Sequence, residues 1–317
     1  MLVLPAVVGS SSMRRRPDVT LTQLRYFVKA ATYSSMTKAA DELHIAQSAV
    51  SAAVSQLEQQ IGTQLFIRHR ARGLALTAAG EEMLRDTLAL LAHLDEVLDG
   101  ASGRVDQVHG TVRLACFITL TPFVLPRLLS DLGVQHPDLE VEVIETSADE
   151  VRTVLRNGTA ELALTYDLAL GAGVDAEYLG VAAPYVALPP EHRLAKRKSI
   201  RLTDLADEPM VLLDLPDSRD YFEAMLAKAG VTPNIRYRSA SYETVRGLVA
   251  RGHGFSILNQ LPAHRETYDG GAVTAVAIRD DLPGLPIVMA RLQSVRTTAR
   301  ARAVAAAARA IFADQSP

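Results

Sequence analysis

The sequence predicts a multidomain α/β protein: a small helical N-terminal domain closed by a β-hairpin, then one long helix, then a larger α/β body. Three observations predict it. The 317 residues exceed what a single core of ordinary size organises. Hydrophobic spacing is helical through the first quarter, then alternates between strand-like and helix-like runs. The charge is also divided. Residues 1–80 hold nine Lys/Arg against four Asp/Glu, net +5, and the remainder holds 24 against 32, net −8, inside an overall −3. A basic first quarter on an acidic body is the balance of one small domain that meets nucleic acid and a body that does not.

Composition is that of a soluble globular chain, 48% hydrophobic and 22% charged, and no apolar run reaches the ~18 residues of a membrane-spanning helix. No membrane partner is expected. The start, "MLVLPAVVGSSSMRRRP", places Arg14, Arg15 and Arg16 after the apolar stretch, the reverse of a secretory signal. Residues 1–18 therefore read as a disordered leader, with Met13 an alternative start. Cys116 is the sole cysteine, so neither an intramolecular disulfide nor a cysteine-based metal cluster can form within one chain. A reducing, cytoplasmic setting fits, and Cys116 reads as a small buried residue of the strand-like "VRLACF" rather than as a redox sensor.

The first domain, 19–76, begins with Leu21, Leu24, Phe27, Val28 and Ala31 on one helical face over about 21–32, with Thr20 as N-cap. A second helix, about 36–43, follows Ser35 and buries Ala39, Ala40 and Leu43. After a tight turn at His44 and Ile45 comes a third, about 47–60, with Val50, Val54, Leu57 and Ile61 inward and Gly62 at its end. Its other face presents Gln47, Ser48, Ser51 and Ser55. Two helices joined this way, the second polar on one side, have the helix-turn-helix layout. "LFIRHRARGLAL" then reads as a hairpin, or wing, whose tip carries Arg68, Arg70 and Arg72. A solvated charged hairpin is the plain alternative; beside a helix-turn-helix, phosphate contact is the better reading.

"FVKAATYSSMTKAADELHIAQSAVSAAVSQLEQQIGTQLFIRHRARGLALTAAGEEML" resembles the winged helix-turn-helix of the LysR-type transcriptional regulators. The AA-x-x-L-x-I-x-QSAVS core, L-E-x-x-I-G-x-x-LF, the arginine wing and LT-x-AG occur in order without gaps. The resemblance implies double-stranded DNA as partner, contacted by Ser35, Thr37, Gln47, Ser48, Ser51, Ala52, Ser55, Arg68, Arg70 and Arg72. Ala52 and Ala53 depart from the longer polar residues common there. Alanine touches a thymine methyl and lets the helix lie close, so base choice is expected to lean on the first helical turn and on DNA shape.

From Thr77 a helix is expected to about residue 101, with Leu84, Thr87, Leu91, Leu94, Leu98 and Ala101 on a 3-4 alternation. A partner chain would cover that seam; packing on the chain's own body is the alternative. The resemblance favours pairing, since in this family the linker helix dimerises, and a homotetramer is the expected assembly. Residues 77–109 are thus linker and hinge.

In the body, 110–317, "TVRLACF", "EVEVIE", "ELALTY", "YVALP", "MVLLD", "NIRYRSA", "GFSILN" and "IVMARL" are short β-rich runs with helical patterns between many of them. That order predicts βαβ crossovers and a largely parallel sheet, with ligands beyond the strand ends. Thr121 before Pro122 reads as an N-cap with N1 proline, and Ser147 with Glu150 as a capping box; such helix ends can hold an anion, although each hydroxyl alone is as readily a plain cap. "PDLEVEVIETSADEVRTVLRNGTAELAL", "HRLAKRKSIRLTDLADEPMVLL" and "VRGLVARGHGFSILNQLP" are similar to the effector-binding domain of the same regulators, two Rossmann-like lobes of the periplasmic-binding-protein type 2. The resemblance puts lobe one at 110–167 and 272–317 and lobe two at 168–271. Thr119, Thr121, Thr146, Ser147, Tyr166, Asp167, Ser218, Ser241 and Asn259 are then expected to line the cleft, with Tyr166 and Asp167 equally readable as a plain strand terminus. A small-molecule effector, an anion being one option, would bias lobe closure. Thr146, where glycine is frequent, and Asn259 and Gln260, in place of a more apolar pattern, depart from the family.

Two other function classes compete. An enzyme is disfavoured because no G-x-S-x-G, Walker loop, G-x-G-x-x-G or H-E-x-x-H occurs and the eight histidines have no metal-ligand spacing; no catalytic residue, metal or cofactor is implied. "RGHGFS" reads as a helix end before a strand. A transport solute-binding protein is disfavoured by the lack of a signal peptide and by the basic head.

Overall fold

A computed structural model describes residues 18–69, 73–101, 108–168, 170–216 and 218–314. The leader, Arg70 and Arg72 of the hairpin tip, and hinge residues 102–107 lie outside them. The chain forms two compact units, one ending at Thr87 and the other beginning at Leu88.

In the first unit α1 (Leu21–Tyr33) opens on a capping box: the Gln23 N–H donates to Thr20 Oγ1 at 3.2 Å and the Thr20 N–H to Gln23 Oε1 at 2.8 Å. Helix α2 (Met36–Glu42) is capped by Ser35, which accepts from the Lys38 N–H. His44 takes a left-handed φ of 55° in the turn, and α3 (Gln47–Ile61) ends at Gly62. Leu24, Phe27, Ala31, Ala39, Val50, Val54 and Leu57 form the core. Leu21, expected inside, is 45% exposed. Gln23 lies inside instead, because its amide is satisfied by Thr20 and by Gln56.

Strands β1 (Phe66–His69) and β2 (Gly73–Leu76) pair antiparallel. The acid of L-E-x-x-I-G has a physical role: Glu58 Oε1 accepts the N–H groups of Leu65 and Phe66, at 2.8 and 3.1 Å, tying α3 to the hairpin. Helix α4 (Ala78–Ala101) starts at Thr77, whose hydroxyl accepts from the Gly80 N–H and donates to the Gln64 carbonyl. A Cβ on Gly80 would sit 2.1 Å from the Leu65 carbonyl oxygen, a backbone atom that cannot swing aside. The glycine of LT-x-AG thus lets α4 lie on the hairpin.

The second unit contains β3 (Gly110–Phe117), α5 (Thr121–Gln135), β4 (Leu139–Thr146), α6 (Ala148–Arg156), β5 (Leu162–Tyr166) and β6 (Val174–Ala182). There follow β7 (Tyr185–Leu188), β8 (Ser199–Ile200), β9 (Pro209–Leu213), α7 (Ser218–Lys228), β10 (Asn234–Ser239), α8 (Tyr242–Ala250), β11 (Ser256–Leu258) and β12 (Thr274–Ile278). Strand β13 (Leu285–Leu292) and α9 (Ala299–Ala313) complete it.

Lobe one is the sheet β4-β3-β5-β13-β6. Its inward residues alternate: Val112, Leu114 and Cys116 of β3 pack into the cluster that contains α5 and α9, while Ala115 faces that of Val151 and Leu155 on α6. The sheet is mixed rather than largely parallel. Strands β3, β4 and β5 are parallel, but β13 runs antiparallel to both β5 and β6, because the chain re-enters from lobe two in the opposite direction.

The lobe boundaries expected at 168 and 272 are corrected by the same pairing. Strand β6 belongs to the first sheet and β12 to the second, β11-β7-β12-β8, so the backbone crosses between Ala182 and Tyr185 and between Ile278 and Leu285. Strand β6 was hidden by its Asp, Glu and Gly content, tolerable on an edge strand held by backbone bonds. Strands β9 and β10 extend lobe two through the Phe255 backbone, which bonds Val211 and Pro209.

The second half of α4 has two unlike sides. Leu88 lies over Gly158, whose φ of +66° and lack of room for a Cβ, 2.6 Å from Leu88 Cδ2, suit glycine alone. Seven residues on, two helical turns, Asp95 Oδ2 accepts from Arg300 Nη2 at 3.2 Å, and Arg300 Nε donates to Glu161. The opposite stripe exposes Leu90, Val97 and Leu98, at 48%, 52% and 55%. Pairing and self-packing, posed as alternatives, thus fall on different faces: the chain's own body covers one and leaves the other open.

Gly80→Ala is expected to cost the first unit at least about 2 kcal/mol, because a clash with backbone has no cheap relief. Thermal denaturation of the variant followed by circular dichroism measures it; an unchanged melting temperature would contradict the close approach.

Candidate functional sites

On α3 the apolar positions Val50, Val54 and Leu57 point inward, so the opposite stripe faces out. It exposes Gln47, Ser48, Ala49, Ala52 and Gln56, whereas Ser51 and Ser55 are half-buried at its flank. Thr37 and Lys38 of α2 are exposed beside the half-buried cap Ser35. Arg68 lies in β1. The alanines open the middle of the α3 stripe, as expected for Ala52, and Ala49 joins them. Gln56 was missed by the sequence reading. It is the long polar side chain at this face, held by Gln23 at 3.2 Å, and its seven-plus-two spacing from Gln47 was its only signal.

The interlobe site is built on strand ends. Because β3, β4 and β5 are parallel, their C-terminal ends share one edge of lobe one, gathering Thr119, Thr146 and Tyr166. All three are buried. Tyr166 packs its ring edge-on to Phe117, with centroids 5.1 Å apart. Its hydroxyl oxygen is 3.4 Å from Thr119 Oγ1 and accepts from Gln260 Nε2 at 3.0 Å across the lobes. From lobe two, the hydroxyls of Tyr185 and Tyr242 both donate to the Gln260 carbonyl. Tyr242 also meets Phe123 of lobe one edge-on at 5.7 Å.

Burial pushes the Tyr166 phenol up to about 12, against the opposing pull of its bonds with Thr119 and Gln260. Burial likewise raises Tyr242 and Tyr185. These are neutral hydrogen-bonding groups at physiological pH.

The other expected lining residues divide. Thr146 spends its hydroxyl on the Cys116 carbonyl. Thr121 is the first residue of α5, not its cap: Leu120 takes that place, its carbonyl accepting from Phe123 and Val124, and the Thr121 hydroxyl donates to the Phe117 carbonyl. Ser147 is bonded to the carboxylates of Asp149 and Glu150, so the α6 end already holds two anions and repels a third. Asp167 is an exposed strand terminus whose N–H donates to Pro286. Ser218 is buried at the start of α7, and exposed Ser241 caps α8 by accepting from Thr244.

Asn259 is a hinge residue rather than a lining one. Its amide donates to the Ala182 carbonyl and to Tyr221 Oη, both at 3.1 Å, and Tyr221 donates onward to the Pro283 carbonyl. Sequence reasoning noted Gln260 as a departure without assigning it. Tyr185, Tyr221, Tyr242 and Phe123 gave no spacing signal, since they meet only after folding.

Comparison with known proteins follows the same division. Residues 21–81 match the family described as bacterial regulatory helix-turn-helix protein, lysR family, and residues 106–313 match the LysR substrate binding domain. A probable hydrogen peroxide-inducible genes activator of Mycobacterium avium is 33% identical over 243 residues, 76% of this chain and 78% of that one. The crystal structure of HinK, a LysR family transcriptional regulator from Pseudomonas aeruginosa, is 34% identical, with a TM-score of 0.65, over 94% of this chain and 100% of that one. Full-length OxyR from the same organism is alike in fold, with a TM-score of 0.73 at 24% identity over 92% of this chain and 98% of that one. No helix among the described residues is long and apolar enough to cross a membrane.

The raised Tyr166 phenol makes stability fall with alkali. The folded chain keeps a proton that the unfolded chain loses near pH 10, so stability is full below that value and declines as pH rises to about 12. Urea midpoints measured at pH 9, 10 and 11 follow the decline, and Tyr166→Phe is expected to make it shallower; an identical slope would contradict a buried neutral phenol.

Proposed function

Because the chain belongs to the LysR family of transcriptional regulators, a DNA-binding regulator with an effector-binding domain and not an enzyme, we propose how its own residues divide that work. Operator DNA is read by the outward stripe of α3, with Gln47, Ser48 and Ala52 toward the bases and Gln56 beside them, while Ser35, Thr37, Arg68, Arg70 and Arg72 take phosphates. The observation that carries this reading is the stripe itself: small, polar and free of acids from Gln47 to Gln56, on a helix whose other side is locked to the core. Ser51 and Ser55, half-buried, flank the contact rather than centre it.

Two copies pair through Leu90, Leu94, Val97 and Leu98 of α4, an apolar stripe that nothing of the chain's own second unit needs. Pairing in turn presents two heads, with a homotetramer as the larger assembly. A small-molecule effector binds between the lobes and biases their closure. The protein works in the cytoplasm, beside the DNA it binds.

Induction by peroxide, part of the Mycobacterium avium relative's name, is not carried over. A disulfide within one chain needs a second thiol, and Cys116 is the sole one, buried in β3 with its thiol pushed up to about 12 by that burial.

Wild-type affinity for its operator is expected to fall at least about a hundredfold between about 50 and about 200 mM salt, as counterions return to the phosphates. Ala52→Glu should abolish specific binding with the fold intact, by setting a negative charge against the groove. Fluorescence anisotropy on labelled operator reads both, and specific affinity that survives the substitution would move the reading face elsewhere. Leu98→Glu should shift the chain toward monomer in sedimentation velocity; an unchanged assembly would remove the α4 stripe as the pairing surface.

A further inference from the structure

We propose that Tyr166, Thr119 and Gln260 select the effector, and that they take an uncharged small molecule presenting an oxygen acceptor beside an aromatic ring. This rests on the reading of the interlobe cleft as the effector site and names the chemistry of its ligand.

The first argument is a count of protons. Gln260 Nε2 donates to Tyr166 Oη, and Tyr166 and Thr119 share one hydroxyl–hydroxyl contact. Whichever hydroxyl donates in that contact, two O–H protons share one bond. One proton is therefore left with no acceptor among the described residues. Tyr166 and Thr119 are only 3% and 7% exposed, so bulk water does not readily replace the missing partner, and a buried donor without an acceptor is costly. A ligand oxygen removes that cost. The Gln260 amide oxygen has no donor among the described residues either, which gives the ligand a place to donate in return.

The second argument is charge. The one buried cation of this region, Arg246 on α8, is committed to Glu243 and to the carbonyls of His264, Arg265 and Glu266. At the α6 end, Asp149 and Glu150 hold the Ser147 hydroxyl. An anion would find carboxylates there and a spent guanidinium, so the expectation of an anionic effector gives way to an uncharged one.

The third is shape and motion. The Phe117–Tyr166 and Phe123–Tyr242 pairs supply ring surfaces next to the polar trio. Two tyrosine hydroxyls grip the Gln260 carbonyl, so its backbone is fixed and only its side chain is free to turn. Ligand binding exchanges the Gln260–Tyr166 bond for bonds to the ligand.

Benzamide and benzoate, alike in shape and different in charge, test the proposal on the full chain, with thermal shift and tyrosine fluorescence as readouts; the chain has no tryptophan to mask the latter. Wild type should bind benzamide saturably and benzoate at least about tenfold more weakly. Tyr166→Phe, which keeps the ring, should weaken benzamide at least about fivefold, the scale of one hydrogen bond, and Gln260→Leu should narrow the gap between the two probes. Equal or tighter benzoate binding, no benzamide binding, or benzamide binding untouched by both variants would each overturn the proposed chemistry. Phe123→Ala separates the two levels. If it alone abolishes benzamide binding, the cleft stands as the effector site and only its chemistry is wrong; if all three variants leave binding intact, the cleft reading falls as well.

Discussion

The backbone passes between the lobes twice, after β6 and before β13, and both passages are fastened by the same pair of side chains. Asn259 holds the end of β6 through the Ala182 carbonyl, Tyr221 holds the approach to β13 through the Pro283 carbonyl, and Asn259 donates to Tyr221. Every relative movement of the lobes has to pivot on that fastening. Residue 260, the next along the chain, is consequently aimed from a nearly fixed point toward Tyr166, which is why one amide can sense the separation of the two lobes.

The same economy is visible in the head. Glu58, Thr77 and Gly80 join α3, the hairpin and α4 by backbone bonds and one close approach rather than by a large core. A domain of this size has little apolar area to bury. Its angles are therefore set by a few polar bonds whose loss cannot be absorbed by repacking.

How much of this was legible in the sequence depended on whether the signal was local. Helices α1 to α4 were readable because their caps and periodic apolar positions sit within a few residues of one another, and Thr20, Ser35 and Gly62 mark ends where expected. Strand β6 and the antiparallel course of β13 were not, since an edge strand is held by its neighbour's backbone and strand direction depends on where a distant crossing falls. The lining of the cleft was the least readable. Hydroxyls at strand ends were visible, but whether Thr146 or Thr121 keeps its hydroxyl for a ligand depends on a carbonyl nearby in space, and the convergence of Tyr185, Tyr242 and Gln260 joins residues up to 75 positions apart.

The seam of Leu88, Gly158, Asp95 and Arg300 has a mechanical consequence. It makes the later turns of α4 part of lobe one, a stationary frame with the linker as its spine. A copy paired along the outward stripe of that spine would be registered to lobe one as well. Lobe two is then the one body left to travel, so the ligand is read as the displacement of a pointer against a dial, not as a symmetric closing of two jaws.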